Sequence, residues 1–178
     1  RLPRLAAVAA LAGLVALRAL QLAPSYGVSP EPWRQATAYV QARAQPGDCI
    51  AFYPLDGRMA FQYYIGTGVA TDRSAPRSIL PILPWGAVKP DVERYATLSP
   101  AQIARRGAGC RRLWFVSSHE GQTDGPAQSL ANRARFLALR ARLERAFGRA
   151  PIVQLGYAAA IHIQLLPGRT SEDRGAAS

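Results

Sequence analysis

Cys49-Ile50-Ala51-Phe52-Tyr53-Pro54 and Leu113-Trp114-Phe115-Val116-Ser117-Ser118 are the two apolar runs on which the fold turns. Each is short, almost continuous and flanked by turn formers, the pattern of a buried strand. Ahead of the first run, Pro46-Gly47-Asp48 stops a helix that should begin at Glu31 or Pro32. On that helix Trp33, Ala36, Thr37, Val40 and Ala44 share one face, while Arg34, Gln41 and Arg43 fall elsewhere. A second helix, Arg58–Ile65, follows the first strand. Residues 66–98 carry Gly66-Thr67-Gly68 and four prolines, so they read as loop with a short strand at Ser78–Ile82. Ser99-Pro100-Ala101-Gln102 has the signature of a capped helix start, with an end at Gly107 or Gly109. After the second strand a long helix, Ala127–Phe147, shows the stripe Phe136, Leu139, Leu143, Phe147. Ile152–Leu155 and Ala160–Leu166 form a final strand pair, joined through Gly156-Tyr157. Helices alternating with strands predict a small three-layer α/β domain over residues 31–167, mainly parallel, with an antiparallel edge strand.

The segment before residue 24 differs in kind. Leu5 to Leu17 contains no polar side chain, and after Arg18 the apolar run continues to Ala23. As a helix, 5–23 would be roughly 28 Å long, close to one bilayer core. Arg18 lies near one end, where it can snorkel. Arg1 and Arg4 precede the stretch, so the positive-inside rule sends the rest of the chain outward. A membrane span over 1–23 is the leading reading. A signal peptide and a buried soluble helix compete with it, though Gln21 before Ala23 makes a poor cleavage site. Pro24–Pro30 then serves as linker, and residues 168–178 read as a disordered tail. The expected location is the inner (plasma) membrane, with 24–178 extracytoplasmic.

The cysteines suit that compartment. If the two apolar runs are adjacent parallel strands, Cys49 and Cys110 meet at their starting edge. A disulfide there would be worth about 4 kcal/mol by the chain-entropy account. Two separate buried thiols are the alternative.

The chain has 178 residues, with 22 basic against 11 acidic, for a net charge of +11. A 49% hydrophobic content excludes a disordered basic tail. Two cysteines and two histidines are too few for a disulfide miniprotein or a Cys/His zinc module. All but one of the basic residues are arginine, Lys89 being the exception, and alanine is abundant. That skew points to a GC-rich coding sequence more than to a nucleic-acid partner, and none is expected. Arg133, Arg135, Arg140, Arg142, Arg145 and Arg149 surround the last helix. They form a solvated face or, on a bilayer, meet anionic lipid headgroups.

No phosphate-binding Walker loop, HExxH, GxSxG or CxxC occurs, and Gly66-x-Gly68 lacks the third glycine of a dinucleotide site. The polar candidates gather after the two strands. Asp56 and Arg58 follow the first, and Ser117-Ser118-His119-Glu120 follow the second, where α/β domains bind ligands. Phe52, Tyr53, Phe61, Tyr63 and Tyr64 bracket the first loop, offering aromatic faces for a carbohydrate or a lipid-carrier headgroup. The candidate ligand-binding set is Tyr53, Asp56, Arg58, Tyr64, Ser118, His119 and Glu120. Core packing of the aromatics and strand-end bracing by His119 are the competing readings. Ser118 and His119 are neighbours in sequence and point apart on a strand, so they make no catalytic dyad. His162, between Ile161 and Ile163, should face solvent or a polar interface.

One resemblance runs through these residues. An apolar helix and a linker precede Trp33-Arg34-x-Ala36, then Pro46-Gly47-Asp48 and Phe52-Tyr53-Pro54. Arg58, Phe61 and Tyr63-Tyr64 follow, and later the strand ending Ser118-His119. This order over about residues 5–166 resembles the C-terminal end of bacterial protein O-mannosyltransferase-like membrane glycosyltransferases (family 39 type, GT-C fold). Glu31-Pro32 before Trp33 departs from that family's Asp-Trp. The resemblance implies sugar transfer from a polyprenyl-phosphate donor on the outer side of the membrane. It implies partners in the transmembrane helices of a parent chain, and in the polyprenyl-phosphate sugar or its acceptor. The family's catalytic acidic residues lie in an early outer loop with no counterpart here, so no catalytic residue carries over. The first residue, Arg rather than Met, agrees with a piece of a longer protein. The implied role is an accessory domain. No cofactor is expected in this piece, and a divalent metal in the parent stays open. A membrane-anchored binding module without catalysis is the alternative. A hydrolase using His119 with Asp56 or Glu120 is a third reading.

Overall fold

The computed structural model describes residues 10–21, 31–66, 75–82, 94–121, 125–157 and 159–168. The chain divides into two compact units, Arg1–Pro30 and Glu31–Ser178. In the first, a helix (α1) covers residues 10–21. Its apolar side chains are exposed, among them Leu11, Leu14, Val15, Leu17 and Leu20. The guanidinium of Arg18 donates to Gln21 Oε1, 3.2 Å away. Among the described residues no helix is long and apolar enough to cross a membrane. The expected span reaches past α1 at both ends, and those residues, like the linker, lie outside the described ones.

The second unit is a small α/β domain built on a mixed five-stranded sheet. Its elements are α2 (Trp33–Arg43), β1 (Asp48–Tyr53), α3 (Gly57–Tyr64), β2 (Arg77–Leu80) and α4 (Pro100–Arg106). They continue with β3 (Arg112–Ser118), a single turn at His119–Gly121, α5 (Pro126–Phe147), β4 (Ile152–Leu155) and β5 (Ile161–Leu166). The strand order is β2-β1-β3-β5-β4. β1 runs parallel to both β2 and β3, whereas β5 is antiparallel to β3 and to β4.

The expected antiparallel edge strand needs correction. The strand that opposes the rest, β5, sits inside the sheet, and β4 occupies the edge. Burial explains the order: Ile161, Ile163, Gln164 and Leu166 of β5 are buried, while β4 is only half covered. The more apolar arm of the hairpin takes the inner position.

The sheet separates two cores, as period-two alternation requires. Cys49, Ala51, Tyr53, Leu113, Phe115 and Leu166 face Ile103 of α4 and Phe136, Leu139, Leu143 and Phe147 of α5. Ile50, Phe52, Trp114, Val116, Ile161 and Ile163 face Trp33, Ala36 and Val40 of α2 and Phe61 of α3. With both faces covered, β1 is buried along its whole length and β3 nearly so. Gln41 was expected off the buried face of α2; it is buried, next to Thr37 one turn away.

Two devices pin the strand-start edge. Cys49 and Cys110 form a disulfide, with Cα atoms 5.6 Å apart. Beside it the carboxylate of Asp48 accepts from Arg112 Nε at 2.8 Å, Arg112 Nη2 at 2.6 Å, Trp114 Nε1 at 2.9 Å and the Gln45 backbone N–H at 3.0 Å. Burial pushes the pKa of Asp48 up, but these donors outweigh it and hold it below the ordinary 3.8. The helix start at Ser99 is a full capping box, with Ser99 and Gln102 satisfying each other's backbone N–H groups. Near Arg111, at the same strand-start edge, the Gly168 N–H donates to the Phe147 carbonyl at 2.7 Å, so the packed chain extends one residue into the expected tail.

Candidate functional site at the strand-end crevice

The order β2-β1-β3 places β1 in the middle, with the chain leaving it first to one side and later returning on the other. α3 covers one face and α4 the opposite one. The crevice between the C-terminal ends of β1 and β3 is therefore a topological switch point, the usual ligand position of such sheets. The register pairs Tyr53 with Ser117, so the loop after β1 and the turn after β3 emerge side by side.

Four chain segments furnish the crevice. Asp56 lies in the turn after β1 and is bound to Arg94 (Nε to Oδ2, 2.8 Å). The Leu55 N–H donates to the Arg94 carbonyl at 2.9 Å, which fixes that arginine from a distant part of the chain. Burial pushes the Asp56 pKa up; Arg94 pulls against this, and the nearby Glu31 adds to it. Glu31, just before α2, accepts a short hydrogen bond from Trp33 Nε1. Trp33 in turn packs against Gly57, where a Cβ would stand 2.6 Å from Trp33 Cη2. Only glycine lets α3 approach the indole this closely.

The turn after β3 contributes the rest. His119 and Glu120 both adopt left-handed backbone, with φ 54° and 42°. Two consecutive non-glycine residues in that region store strain of order 1 kcal/mol or more each. The turn sends the two side chains apart. His119 Nε2 lies 3.6 Å from Glu31 Oε1. Glu120 reaches the other way, 2.8 Å from His162 Nδ1 on β5 and 3.0 Å from Arg133 Nη1 on α5. The His162 contact is an ion-pair distance rather than an aligned hydrogen bond.

The sequence-based set is thus only partly gathered. Asp56 and His119 share the crevice through Glu31, and Glu120 borders it. Ser118 is buried at the strand end. Tyr53 leaves the set: it faces the α5 side, fully buried, and its hydroxyl donates to the Asn132 carbonyl at 2.6 Å. Burial pushes its pKa up to about 12. Arg58 points toward β2, where Nη1 donates to the Pro81 carbonyl at 2.8 Å. Tyr64 packs against the α2/α3 core and meets the exposed Tyr63 edge-on, centroids 5.1 Å apart. Phe52 and Phe61 are core residues of that same face. Glu31, Arg94, Arg133 and His162 were not in the set. The first two had no local signal; His162 and Arg133 become visible only once β5 lies beside β3 and α5 packs over them.

The pairing of His119 with Glu31, and of Glu120 with His162 and Arg133, leaves neither partner expected for a His119-based hydrolase in contact with His119. Among the described residues no group of three or more His, Cys, Asp or Glu is arranged to hold a metal ion. What the crevice offers is a row of alternating carboxylates and cationic or imidazole groups, suited to hydroxyl-bearing ligands. A groove of about 580 Å³ lies elsewhere, between α4, α5 and the 107–110 turn, with Ile103, Phe147, Arg142 and Arg145 in its wall. It is far from this polar row in the fold, and none of the candidate residues lines it.

Comparison with known proteins gives no further guide: no protein-family model, curated protein or solved structure matches the chain.

Proposed function

We propose that the chain is the extracytoplasmic accessory domain of an integral-membrane glycosyltransferase that uses a polyprenyl-phosphate sugar. One observation carries the membrane part of this reading. α1 presents Leu11, Leu14, Val15, Leu17 and Leu20 outward with no polar face, and its one charge, Arg18, is bound to Gln21 near its end. A helix apolar all round needs lipid or protein around it. The Cys49–Cys110 disulfide supports an oxidising compartment for the α/β domain. The polar crevice at the switch point supports a part in holding a hydroxyl-rich donor or acceptor. The order of motifs from Trp33 to His119 supports the family.

Alkaline phosphatase fused after residue 178 tests the topology, since it folds only outside the cytoplasm. An active fusion that resists carbonate extraction from membranes is expected. An inactive fusion, or a chain released by carbonate, overturns the membrane part. The glycosyltransferase part is tested in membranes from cells carrying the native gene, with residues 31–168 deleted or intact. Loss of sugar transfer from a labelled polyprenyl-phosphate sugar on deletion is expected. A native gene product with no transfer activity would leave the membrane-anchored binding module as the reading.

A further inference from the structure

We propose that the cavity at the outer edge of β2 is a binding site for a phosphate-class oxyanion, a phosphate monoester or diphosphate. The cavity holds about 440 Å³ and is lined by Arg58, Arg77, Ser78, Ile79, Ile82 and Arg106. Three different elements supply the cations: α3 gives Arg58, β2 gives Arg77 and α4 gives Arg106. Because α3 and α4 cover opposite faces of the sheet, their arginines can converge only beyond its edge strand. No carboxylate is among the described lining residues.

Each guanidinium is positioned by a backbone carbonyl. Arg58 Nη1 donates to Pro81 O at 2.8 Å, Arg77 Nη2 to Ala108 O at 2.9 Å and Arg106 Nη1 to Ile79 O at 3.4 Å. At Arg77 and Arg106 the carbonyl fixes the direction of the guanidinium without neutralising its charge. Arg77 and Arg106 form no ion pair with any described carboxylate. Arg106 Nε is moreover buried without a hydrogen-bond partner. A buried N–H in that state is destabilising, so the side chain is held here at a cost in stability. An anion with oxygens directed to several sides answers all three cations at once. A tetrahedral phosphate group does this, whereas a planar carboxylate engages one guanidinium fork. The Ser78 hydroxyl, which now donates to Pro81 O at 2.6 Å, is a further lining donor.

The inference stands apart from the membrane reading, because the same chemistry could arrive free in solution or on a lipid headgroup. Calorimetry on the full chain with inorganic pyrophosphate tests the first source. Flotation with phosphatidylcholine vesicles, with and without phosphatidic acid, tests the second. Saturable binding of at least one phosphate probe is expected. Arg106→Gln and Arg77→Gln should each weaken it about tenfold or more, the equivalent of 1.4 kcal/mol. Arg106→Lys retains the charge but loses the guanidinium fork, and should weaken binding even where the glutamine variant fails to fold. Arg149→Gln removes the same charge from an 89% exposed side chain and should leave binding unchanged. No saturable binding of either probe overturns the proposal. So does binding that Arg149→Gln weakens as much as the cavity variants do, which would make it a general charge effect. If the three arginines only shield an open sheet edge, that is the result they give.

Discussion

Asp48→Asn is the sharpest test of how the strand-start edge is held. The side chain of Asp48 is 1% exposed, and three of its four donors converge on one oxygen, Oδ2. Asparagine preserves the shape but can present only one acceptor oxygen. If that oxygen takes the Oδ2 position, the amide nitrogen faces Arg112 Nε, donor against donor. If it takes the other, Trp114 Nε1 and the Gln45 N–H lose their acceptor. Breaking a buried charge pair on one side is destabilising by about 3–5 kcal/mol. Arg112 is 23% exposed, so water can recover part of its solvation, and a loss of about 2–3 kcal/mol is the reasoned figure. Urea unfolding of the full oxidised chain at neutral pH should show it. With a slope of about 1–3 kcal/mol per molar urea, the midpoint should fall by roughly 0.7–3 M. A second arm tests the charge itself. The folded pKa of Asp48 lies below its ordinary 3.8, so its stabilisation is complete above that value and is lost as pH falls through the folded one. The gap between wild type and Asp48→Asn should therefore narrow below about pH 4. A neutral-pH gap under about 0.5 kcal/mol, or one that persists unchanged into strong acid, would refute the reasoning.

Three further outcomes follow from the site and the core. Gly57→Ala would put a Cβ 2.6 Å from Trp33 Cη2, and overpacking of that kind typically removes about 1–3 kcal/mol, seen as a lowered melting temperature; an unchanged melt would contradict the packing. Tyr53→Phe removes the hydroxyl bound to Asn132 O, with a loss of about 1 kcal/mol at neutral pH. The folded pKa of Tyr53 is about 12, so the unfolded chain ionises first and wild-type stability should drain away as pH rises from about 10 toward that value, a slope the phenylalanine variant lacks. Asp56 is pushed up by burial, so its charged form opposes folding at neutral pH and Asp56→Asn should equal or exceed wild type in stability there. That benefit should fade as pH falls and both states of Asp56 protonate; a clear destabilisation at neutral pH would show that the Arg94 pair dominates instead.

The legible parts of the fold were those set by local chemistry. The Ser99 capping box, the Phe136–Phe147 stripe and the two buried runs each carry their own physical instruction, and each appears where the sequence puts it. The Cys49–Cys110 bond is what two parallel neighbouring runs with cysteines at their starting edge imply. What stayed hidden depends on partners far along the chain. Tyr53 and Phe52 look alike in sequence, yet strand alternation sends one to the α5 face and the other to the α2 face. That period is incompatible with a single aromatic cluster containing both. Gln41 reads as polar surface, and only the packing of its helix buries it. In the crevice, Arg94 is brought to Asp56 by a backbone hydrogen bond to Leu55, a link without any signature in the residues around either one.

The excess of arginine takes on a physical role once its partners are known. With 22 basic residues and 11 acidic ones, half of the basic groups cannot each have a carboxylate of their own, and several end on main-chain oxygens instead. Arg43 donates to Tyr39 O and Arg142 to Leu98 O, as Arg77 and Arg106 do to carbonyls around β2. The carbonyls at helix ends and along an edge strand are the acceptors that secondary structure leaves open. Arginine, with five donors in a fixed fork, can satisfy one of them and still present N–H groups outward. A carboxylate partner would cancel the charge; a carbonyl leaves it in place. The same residues that close the backbone's open valences therefore keep the domain positive, and they do so at fixed positions rather than on freely moving side chains. Anions, whether in solution or at a membrane surface, would meet that charge already oriented.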